Sequence, residues 1–465
     1  MIYFTWVIKV NKIKEYLKTI NEVSHTTFNP NGPGSIRVHL VPPKKVKLGI
    51  PWVIIINGQD ILPISCGWAI LLKGFIDSVN KRDGKSLQDD EVKAIINEAI
   101  TNVRKVFPRT ERDLLTDDLR EIVNTLADIA EGKTPESEIG FMKLQKYGKY
   151  MSSPHRMDLM ISSMYKNNHW HCNQKCIHCY AGEQEYAIKE ELTTEQWKKI
   201  IDKVKKARIP QITFTGGEPT LREDLVELID YSKWFVTRLN SNGVLLTKEL
   251  CEKLYEASLD SVQVTMYSSN DKIHNLLVGA NNFDKTVEGI KNALKANLNV
   301  SVNTPLCSIN KDYLSLVKYL HQEVGVQYFT CSGLIVTGKA VNDESQNTQL
   351  TKEEILEILK EVCKYINEND LDINFTSPGW INEEALKELK LVVPSCGACL
   401  SNMAIAPNGD VIPCQSWLSE DSLGNLLNVN WNSVWNNKKC KKIKKQSMKT
   451  NNVCPLTNKN IKEDK

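Results

Sequence analysis

Cys172-Asn173-Gln174-Lys175-Cys176-Ile177-His178-Cys179-Tyr180 puts three thiols on one short run in a C-x3-C-x2-C spacing. Thiolates this close can ligate three irons of a 4Fe–4S cluster and leave the fourth iron open, where a small molecule can bind and receive an electron. The alternative is a zinc site completed by His169, His171 or His178. The surroundings of the run bear on the choice.

From about residue 157 the chain alternates strand-like and helical patterns. Apolar, β-branched runs occur at 159–162, 212–215, 236–239, 262–266, 300–303 and 328–330. Amphipathic helices lie between them. One opens with Thr193 and Gln196 at capping-box spacing and carries Trp197, Ile200, Ile201 and Val204 on one face. Another shows Tyr313, Leu316, Val317 and Leu320. Repeated βα units predict a parallel sheet with helices packed outside it. Six units in about 180 residues suit an open, partial (β/α)6 barrel of the TIM type better than a closed eight-stranded one. The fold class is therefore α/β. The chemistry of such sheets sits at the carboxyl ends of the strands, and the three-Cys run follows the first of them.

Thr215-Gly216-Gly217-Glu218-Pro219 follows the second strand directly. Two glycines let a backbone approach a ligand, and Glu218 can accept a bond from an ammonium group. Alone, this would be a turn into a helix. Together with the three-Cys loop one βαβ step earlier, it resembles the radical S-adenosylmethionine (radical SAM) superfamily over roughly residues 157–339. The resemblance implies that Cys172, Cys176 and Cys179 hold a SAM-binding 4Fe–4S cluster. It implies too that Gly216, Gly217, Glu218 and Pro219 bind the methionyl amino group and that His178 lies against the adenine. Thr265-Met266-Tyr267-Ser268 ends the fourth strand where relatives often carry Ser-Leu-Asp-Gly, so a ribose contact falls to Thr265 rather than Tyr267. Asn303 on the fifth strand is a further cofactor contact or a turn residue.

Five more cysteines crowd the end of the chain: Cys396, Cys399, Cys414, Cys440 and Cys454. Asn408-Gly409 between two short apolar runs signals a hairpin. The pattern from Pro394 through Cys414 to Leu426 resembles the opening half of the SPASM domain, the auxiliary-cluster module of peptide-modifying radical SAM enzymes. The later dense run of four cysteines is missing, which brings the stretch close to the shorter twitch version. By that resemblance Cys396, Cys399 and Cys414 hold one auxiliary 4Fe–4S cluster, with Cys454 as a possible fourth ligand; a zinc ribbon is the alternative. Cys251, Cys307, Cys331 and Cys363 lie apart on predicted helices or strands and read as small buried hydrophobes.

Ahead of the barrel, runs at 36–41 and 52–56 read as strands, the second ending in an Asn57-Gly58 turn. Three helical patterns follow, in Leu72-Phe75-Ile76-Val79, Val92-Ile95-Ile96-Ala99 and Leu115-Leu119-Ile122-Val123-Leu126. Strands followed by helices resemble the winged-helix domain that binds leader peptides in peptide-modifying enzymes; a helical accessory domain is the other reading. The expected division is 1–130 accessory domain, 131–156 linker with Gly132, Pro135, Gly140 and Gly148, 157–345 radical SAM core, 346–390 bridging helices, 391–458 auxiliary-cluster domain and 459–465 basic tail.

Composition excludes several other classes. At 41% apolar and 25% charged residues the chain reads as soluble and globular. Its net charge is only +3, and ten lysines after residue 437 outweigh two acids there, so the body before them is net acidic. A folded polycation binding nucleic acid is not expected. The basic run at Lys438–Lys449 reads as a solvated helix face, or else as a docking site for an acidic peptide or an electron donor. Residues 1–10 lack the basic start and cleavage site of a signal peptide, and the apolar stretch 51–76 contains Asp60, Pro63 and Lys73, which argues against a membrane span. A cytoplasmic, anaerobically working protein with reduced thiols is the expectation. By resemblance it is an enzyme that cleaves SAM reductively to a 5′-deoxyadenosyl radical, fed by a flavodoxin- or ferredoxin-type donor. Its expected substrate is a ribosomally made precursor peptide, which it crosslinks, joins by a thioether or epimerises. The alternatives are a small metabolite or cofactor precursor and, more remotely, a non-catalytic zinc protein binding RNA.

Overall fold

The computed structural model describes residues 15–28, 36–58, 60–82, 89–130, 133, 144–342, 347–418, 422–449 and 453–454. Contacts divide the chain into two compact units, Met1–Ser153 and Pro154–Lys465. Residues 1–10, the linker residues Gly132, Pro135 and Gly140, and the 459–465 tail lie outside the described residues.

In the first unit, β1 (Ser24–Phe28), β2 (Ile36–Val41), β3 (Trp52–Ile56) and β4 (Asp60–Ile64) form an antiparallel meander in that order. The sequence reading finds β2 and β3, whose residues are β-branched or apolar almost throughout. It misses β1, Ser-His-Thr-Thr-Phe, and β4, which contains Pro63, because neither carries a clean alternation. Asn57 (φ 49°) and Gly58 (φ 69°) both adopt the left-handed backbone that turns β3 toward β4. Helices α1 (Cys66–Val79), α2 (Asp89–Arg104) and α3 (Arg112–Ala130) follow. Ser65 caps α1 by accepting the Trp68 N–H. Gly74 lets α1 and α2 approach closely, since a Cβ there would stand 2.8 Å from Ala99 Cα. Leu72, Ile76, Ile95, Ala99, Leu115, Leu119, Ile122 and Leu126 are buried, as the helical period requires, whereas Val92 is 40% exposed.

The second unit is built on one nine-stranded sheet. Its order is β13 (Asp372–Phe375), β12 (Tyr328–Ser332), β11 (Asn299–Pro305), β10 (Ser261–Thr265), β9 (Val236–Ser241), β8 (Gln211–Gly216), β5 (Arg156–Ser162), β14 (Asn402–Ile405), β15 (Val411–Ile412). All pairs are parallel except β14–β15. The six strands read from the sequence are all present. The sheet stays open, as expected, but it is longer than six strands. The four-residue β13 lies in the stretch read as bridging helices. β14 pairs with β5 across almost 250 intervening residues, a contact that no local pattern announces.

The connecting helices lie as the apolar period demands. In α4 (Thr194–Lys206), Trp197, Ile200, Ile201 and Val204 are all buried. Each such side chain contributes about 1.5–3 kcal/mol relative to exposure. The capping box is formed: Thr193 Oγ1 accepts the Gln196 N–H and Gln196 Oε1 accepts the Thr193 N–H (2.9 Å). Cys251, Cys307, Cys331 and Cys363 are buried as well. No helix among the described residues is long and apolar enough to cross a membrane.

Candidate active site at the carboxyl ends of the strands

After β5 the chain makes a small hairpin, β6 (Tyr165–Lys166) and β7 (His169–Trp170), and enters the three-Cys loop. The loop is held by backbone. Helix α5 (Asp271–Val278) ends against it, and its carbonyls at Val278 and Leu277 accept the N–H groups of Lys175 (2.9 Å) and Ile177 (3.0 Å). These are carbonyls that a helix end leaves without an intrahelical partner. Gly279 closes α5 with a left-handed backbone (φ 61°), and a Cβ there would stand 2.6 Å from the Lys175 carbonyl oxygen. Trp170 Nε1 donates to the Gln174 carbonyl (2.8 Å), and the Cys176 thiol donates to Gln174 Oε1 (3.5 Å).

Cys172, Cys176 and Cys179 are free thiols that lie within one another's electrostatic reach. Burial pushes the Cys172 thiol up to about 12 and raises Cys176 and Cys179 as well. The bare chain therefore keeps them protonated. Iron deprotonates a coordinating thiol outright, so this donor set fits a thiolate-held cluster. The histidines of the zinc alternative are directed elsewhere. His169 is exposed, His171 faces Glu191 (3.7 Å), and His178 Nε2 pairs with Thr348 Oγ1 (2.7 Å). Burial holds His178 down at about 4, so its imidazole is neutral at physiological pH.

Glu218 stands at the carboxyl end of β8 and is 1% exposed. Its Oε1 accepts from Thr220 N (3.0 Å), Thr220 Oγ1 (2.6 Å) and Ser241 Oγ (2.8 Å), while Oε2 accepts from Asn242 N (2.8 Å). A carboxylate offers about four lone-pair sites, two per oxygen, so Oε2 keeps room for one more donor such as an ammonium. Asn242 Nδ2 also donates to Asn173 Oδ1 (2.6 Å), which ties the carboxylate clamp to the cysteine loop. The glycine pair has a reason beyond ligand approach. A Cβ on Gly216 (φ 143°) would collide with the Ser162 carbonyl, and one on Gly217 would meet the Ser163 carbonyl at 2.8 Å, so strand packing alone forbids a side chain at either position. Pro219 opens the 3-10 turn that Glu218 caps.

Thr265 and Asn303 are register partners at the same end of the sheet. Asn303 Oδ1 accepts from Thr330 Oγ1 (2.9 Å), which in turn accepts from Gln263 Nε2 (3.3 Å), so the inner face here is a polar ladder. Tyr267 is 5% exposed and sits in a cluster with Leu277, Val278 and Cys307 against which Cys176 and Ile177 pack, so it borders the three-Cys loop.

The second thiol group gathers around the β14–β15 hairpin and α7 (Lys438–Lys449), which follows α6 (Trp431–Trp435). The Cys396 and Cys454 thiols are hydrogen-bonded to each other, and so are those of Cys399 and Cys440. Cys414 is near enough for its charge to raise both Cys396 and Cys399. Five thiols are thus linked in pairs or through Cys414, one more than the four expected from the sequence, although no three His, Cys, Asp or Glu side chains among the described residues are grouped tightly enough to hold a single metal ion. Cys440 is the addition: it sits on the buried face of α7 with Ile443 and Ser447, and Ser447 Oγ donates to the Ala398 carbonyl (2.8 Å). The i, i+3, i+7 spacing of those three residues was the available signal, hidden in a run dominated by lysine. The donor chemistry fits an iron–sulfur cluster here too.

Comparison with known proteins finds a match over each of the two cysteine-bearing segments. Residues 171–320 match the radical SAM superfamily, and residues 396–456 match the SPASM iron–sulfur cluster-binding domain. These domains imply a 4Fe–4S cluster with S-adenosylmethionine and an auxiliary cluster. Fe-coproporphyrin III synthase of Methanosarcina barkeri is 34% identical over 158 residues, which are 33% of this chain and 39% of that protein, so the match spans well under two thirds of that relative. Mycofactocin maturase MftC of Mycolicibacterium smegmatis is 27% identical over 271 residues, 57% of this chain and 67% of that protein. The crystal structure of Streptococcus suis SuiB bound to precursor peptide SuiA has the same fold over 87% of this chain and 92% of its own, with a TM-score of 0.58 and 15% identity.

Proposed function

We propose that this chain, which carries a radical SAM domain followed by a SPASM iron–sulfur cluster-binding domain, is an enzyme that modifies a ribosomally synthesised peptide. The observation that carries the reading is the coupling of two thiol groups suited to clusters with a separate N-terminal unit built on an antiparallel sheet. When bound at Cys172, Cys176 and Cys179, a 4Fe–4S cluster with S-adenosylmethionine supplies a 5′-deoxyadenosyl radical able to take hydrogen from an unactivated carbon. The chain's own residues bind and orient. Glu218 Oε2 receives the methionyl ammonium, neutral His178 borders the adenine, and Thr265 and Asn303 serve the ribose side. Cys396, Cys399 and Cys414, completed by Cys454 or Cys440, hold the auxiliary cluster. The outer face of α7, with Lys438, Lys441, Lys442, Lys445 and Lys449 exposed, is a landing surface for an acidic flavodoxin- or ferredoxin-type donor.

Two resemblances support a peptide substrate: the relative named a mycofactocin maturase, and the shared fold of a protein crystallised with its precursor peptide. In the N-terminal unit a leader would add as a strand at a sheet edge. β4 is a poor edge, since Pro63 has no N–H to offer, which leaves β1. A small-metabolite substrate is the second reading, favoured by the match to a protein named Fe-coproporphyrin III synthase. The test is anaerobic co-expression with a short peptide encoded beside the gene, followed by mass spectrometry and chiral amino-acid analysis. Loss of two hydrogens from the peptide, or a new D-residue, is expected. A peptide unchanged by a cluster-loaded enzyme that still cleaves S-adenosylmethionine would favour the metabolite reading.

A further inference from the structure

Lys339 is a cation built into the edge of the three-Cys loop. Its N–H donates to the Cys179 carbonyl (3.0 Å). The preceding Gly338 is left-handed (φ 59°) and so close to the carbonyls of Cys179 and Tyr180 that no Cβ fits. The aliphatic stem of Lys339 crosses Gly182, where a Cβ would stand 2.9 Å from Lys339 Cγ. Its ammonium then lies 4.1 Å above the Trp170 ring centroid, and Trp170 is itself fixed by Gln174 and an edge contact with Tyr165 at 5.4 Å. The side chain is thus clamped at its backbone, stem and head. No carboxylate among the described residues forms an ion pair with it, and its charge acts on Cys172, Cys176 and Cys179 alike.

A 4Fe–4S core on three thiolates carries net negative charge, and one-electron reduction adds another. A fixed cation nearby stabilises the reduced state more than the oxidised one, and net local charge is one of the protein's levers on cluster potential. We propose that Lys339 is the positioning residue that raises the reduction potential of the cluster held by Cys172, Cys176 and Cys179, easing electron entry from a low-potential one-electron carrier. The proposal rests on reading those thiols as cluster ligands. The Trp170 ring and the Gly182 channel have the role of keeping the ammonium in place.

The test uses the full chain, reconstituted anaerobically, in redox titrations followed by the electron paramagnetic resonance of the reduced cluster. Subtracting the spectrum of the variant with Cys172, Cys176 and Cys179 all changed to Ala isolates the signal of this site. Lys339→Met keeps the stem and removes the charge. It should shift the reduction equilibrium about tenfold against the reduced form, a midpoint lower by about 59 mV, with iron and sulfide content unchanged. Lys339→Arg should keep the wild-type midpoint. An unchanged midpoint in a fully loaded Lys339→Met protein overturns the proposal. If that same protein binds S-adenosylmethionine more weakly, the cation belongs to the cofactor's carboxylate instead. Should Lys339→Met lose iron, Lys339→Gln is read in the same way; loss of iron from both, with Arg loaded, assigns Lys339 to cluster retention and also overturns the proposal. A wild-type chain without Cys172-, Cys176- and Cys179-dependent iron would refute the reading of the site itself, a result distinguishable from all of these.

Discussion

Glu218 illustrates what a sequence motif gives and what it omits. The run Gly216-Gly217-Glu218-Pro219 names the carboxylate, but its clamp, Ser241 and Asn242, lies 23 and 24 residues further on. Those residues reach Glu218 only because β8 and β9 are parallel neighbours, a relation invisible in the motif. Glu218→Gln would turn an amide NH2 toward N–H or O–H donors and leave one buried donor unpaired. A stability loss of about 1–3 kcal/mol in denaturant unfolding is expected. Equilibrium dialysis should also show S-adenosylmethionine bound at least about tenfold more weakly, as for the loss of one charge-assisted bond. His274 was likewise unread, being a lone histidine on an apolar helix. It is fully buried, its Nδ1 accepts the Tyr267 N–H (3.3 Å), and burial holds its pKa near 4 against an ordinary 6.5. Above pH 6.5 both folded and unfolded forms are neutral and the group contributes nothing. As pH falls from 6.5 toward 4 the unfolded chain takes up a proton that the folded chain refuses, so stability drops, by about 3 kcal/mol once pH 4 is passed. His274→Gln should reduce the slope of the stability–pH curve in that window, where buried His155 and His178 titrate too, and leave the slope unchanged above pH 7. A parallel curve would show that other groups govern acid unfolding.

At the scale of elements, the six core strands and their helices were legible because each carries its own period. β8 and β11 are apolar or β-branched at alternate positions, and α4 announces its start with a capping box. β13 and β14 were not legible as members of the sheet: each has four residues, and their partners Tyr328 and Arg156 are distant in sequence. The end of α5 is the element on which the first site depends most. Its last carbonyls carry the Lys175 and Ile177 N–H groups, and Gly279 is the only residue type that fits both the left-handed turn and the nearby Lys175 carbonyl. Gly279→Ala should cost about 1 kcal/mol or more in stability. Its larger effect is expected in the iron bound at Cys172, Cys176 and Cys179, because the displaced Lys175 lies between the first two. Iron content equal to wild type, with only a shifted melting temperature, would mean that the loop adapts without α5.

Across the whole molecule, the chain joins two units with separate hydrophobic cores, and each brings a different part of the proposed activity. The division of labour was partly legible, since the cysteines are concentrated after residue 170 and the accessory patterns lie before 130; the exception is Cys66, which is buried in the first core. The full four-stranded sheet was not, because β1 is the largely polar Ser-His-Thr-Thr-Phe and β4 is interrupted by Pro63. If a leader adds at β1, Thr26→Pro and Thr27→Pro should differ. Successive N–H groups in a strand point to opposite sides, so one variant removes a bond to β2 and the other removes only an outward donor. The second kind should fold normally and lose affinity for a full-length precursor in a polarisation assay, while uncoupled cofactor cleavage persists; unchanged affinity in both would place leader binding elsewhere. The proposed activity depends first on Cys172, Cys176 and Cys179. The most direct measurement is 5′-deoxyadenosine formed under anaerobic reduction by the wild-type chain and by the variant with all three changed to Ala. Product from the wild type, none from the variant, and a loss of about four irons per chain with the auxiliary iron retained is the predicted result. Continued formation of 5′-deoxyadenosine by the triple variant would contradict it.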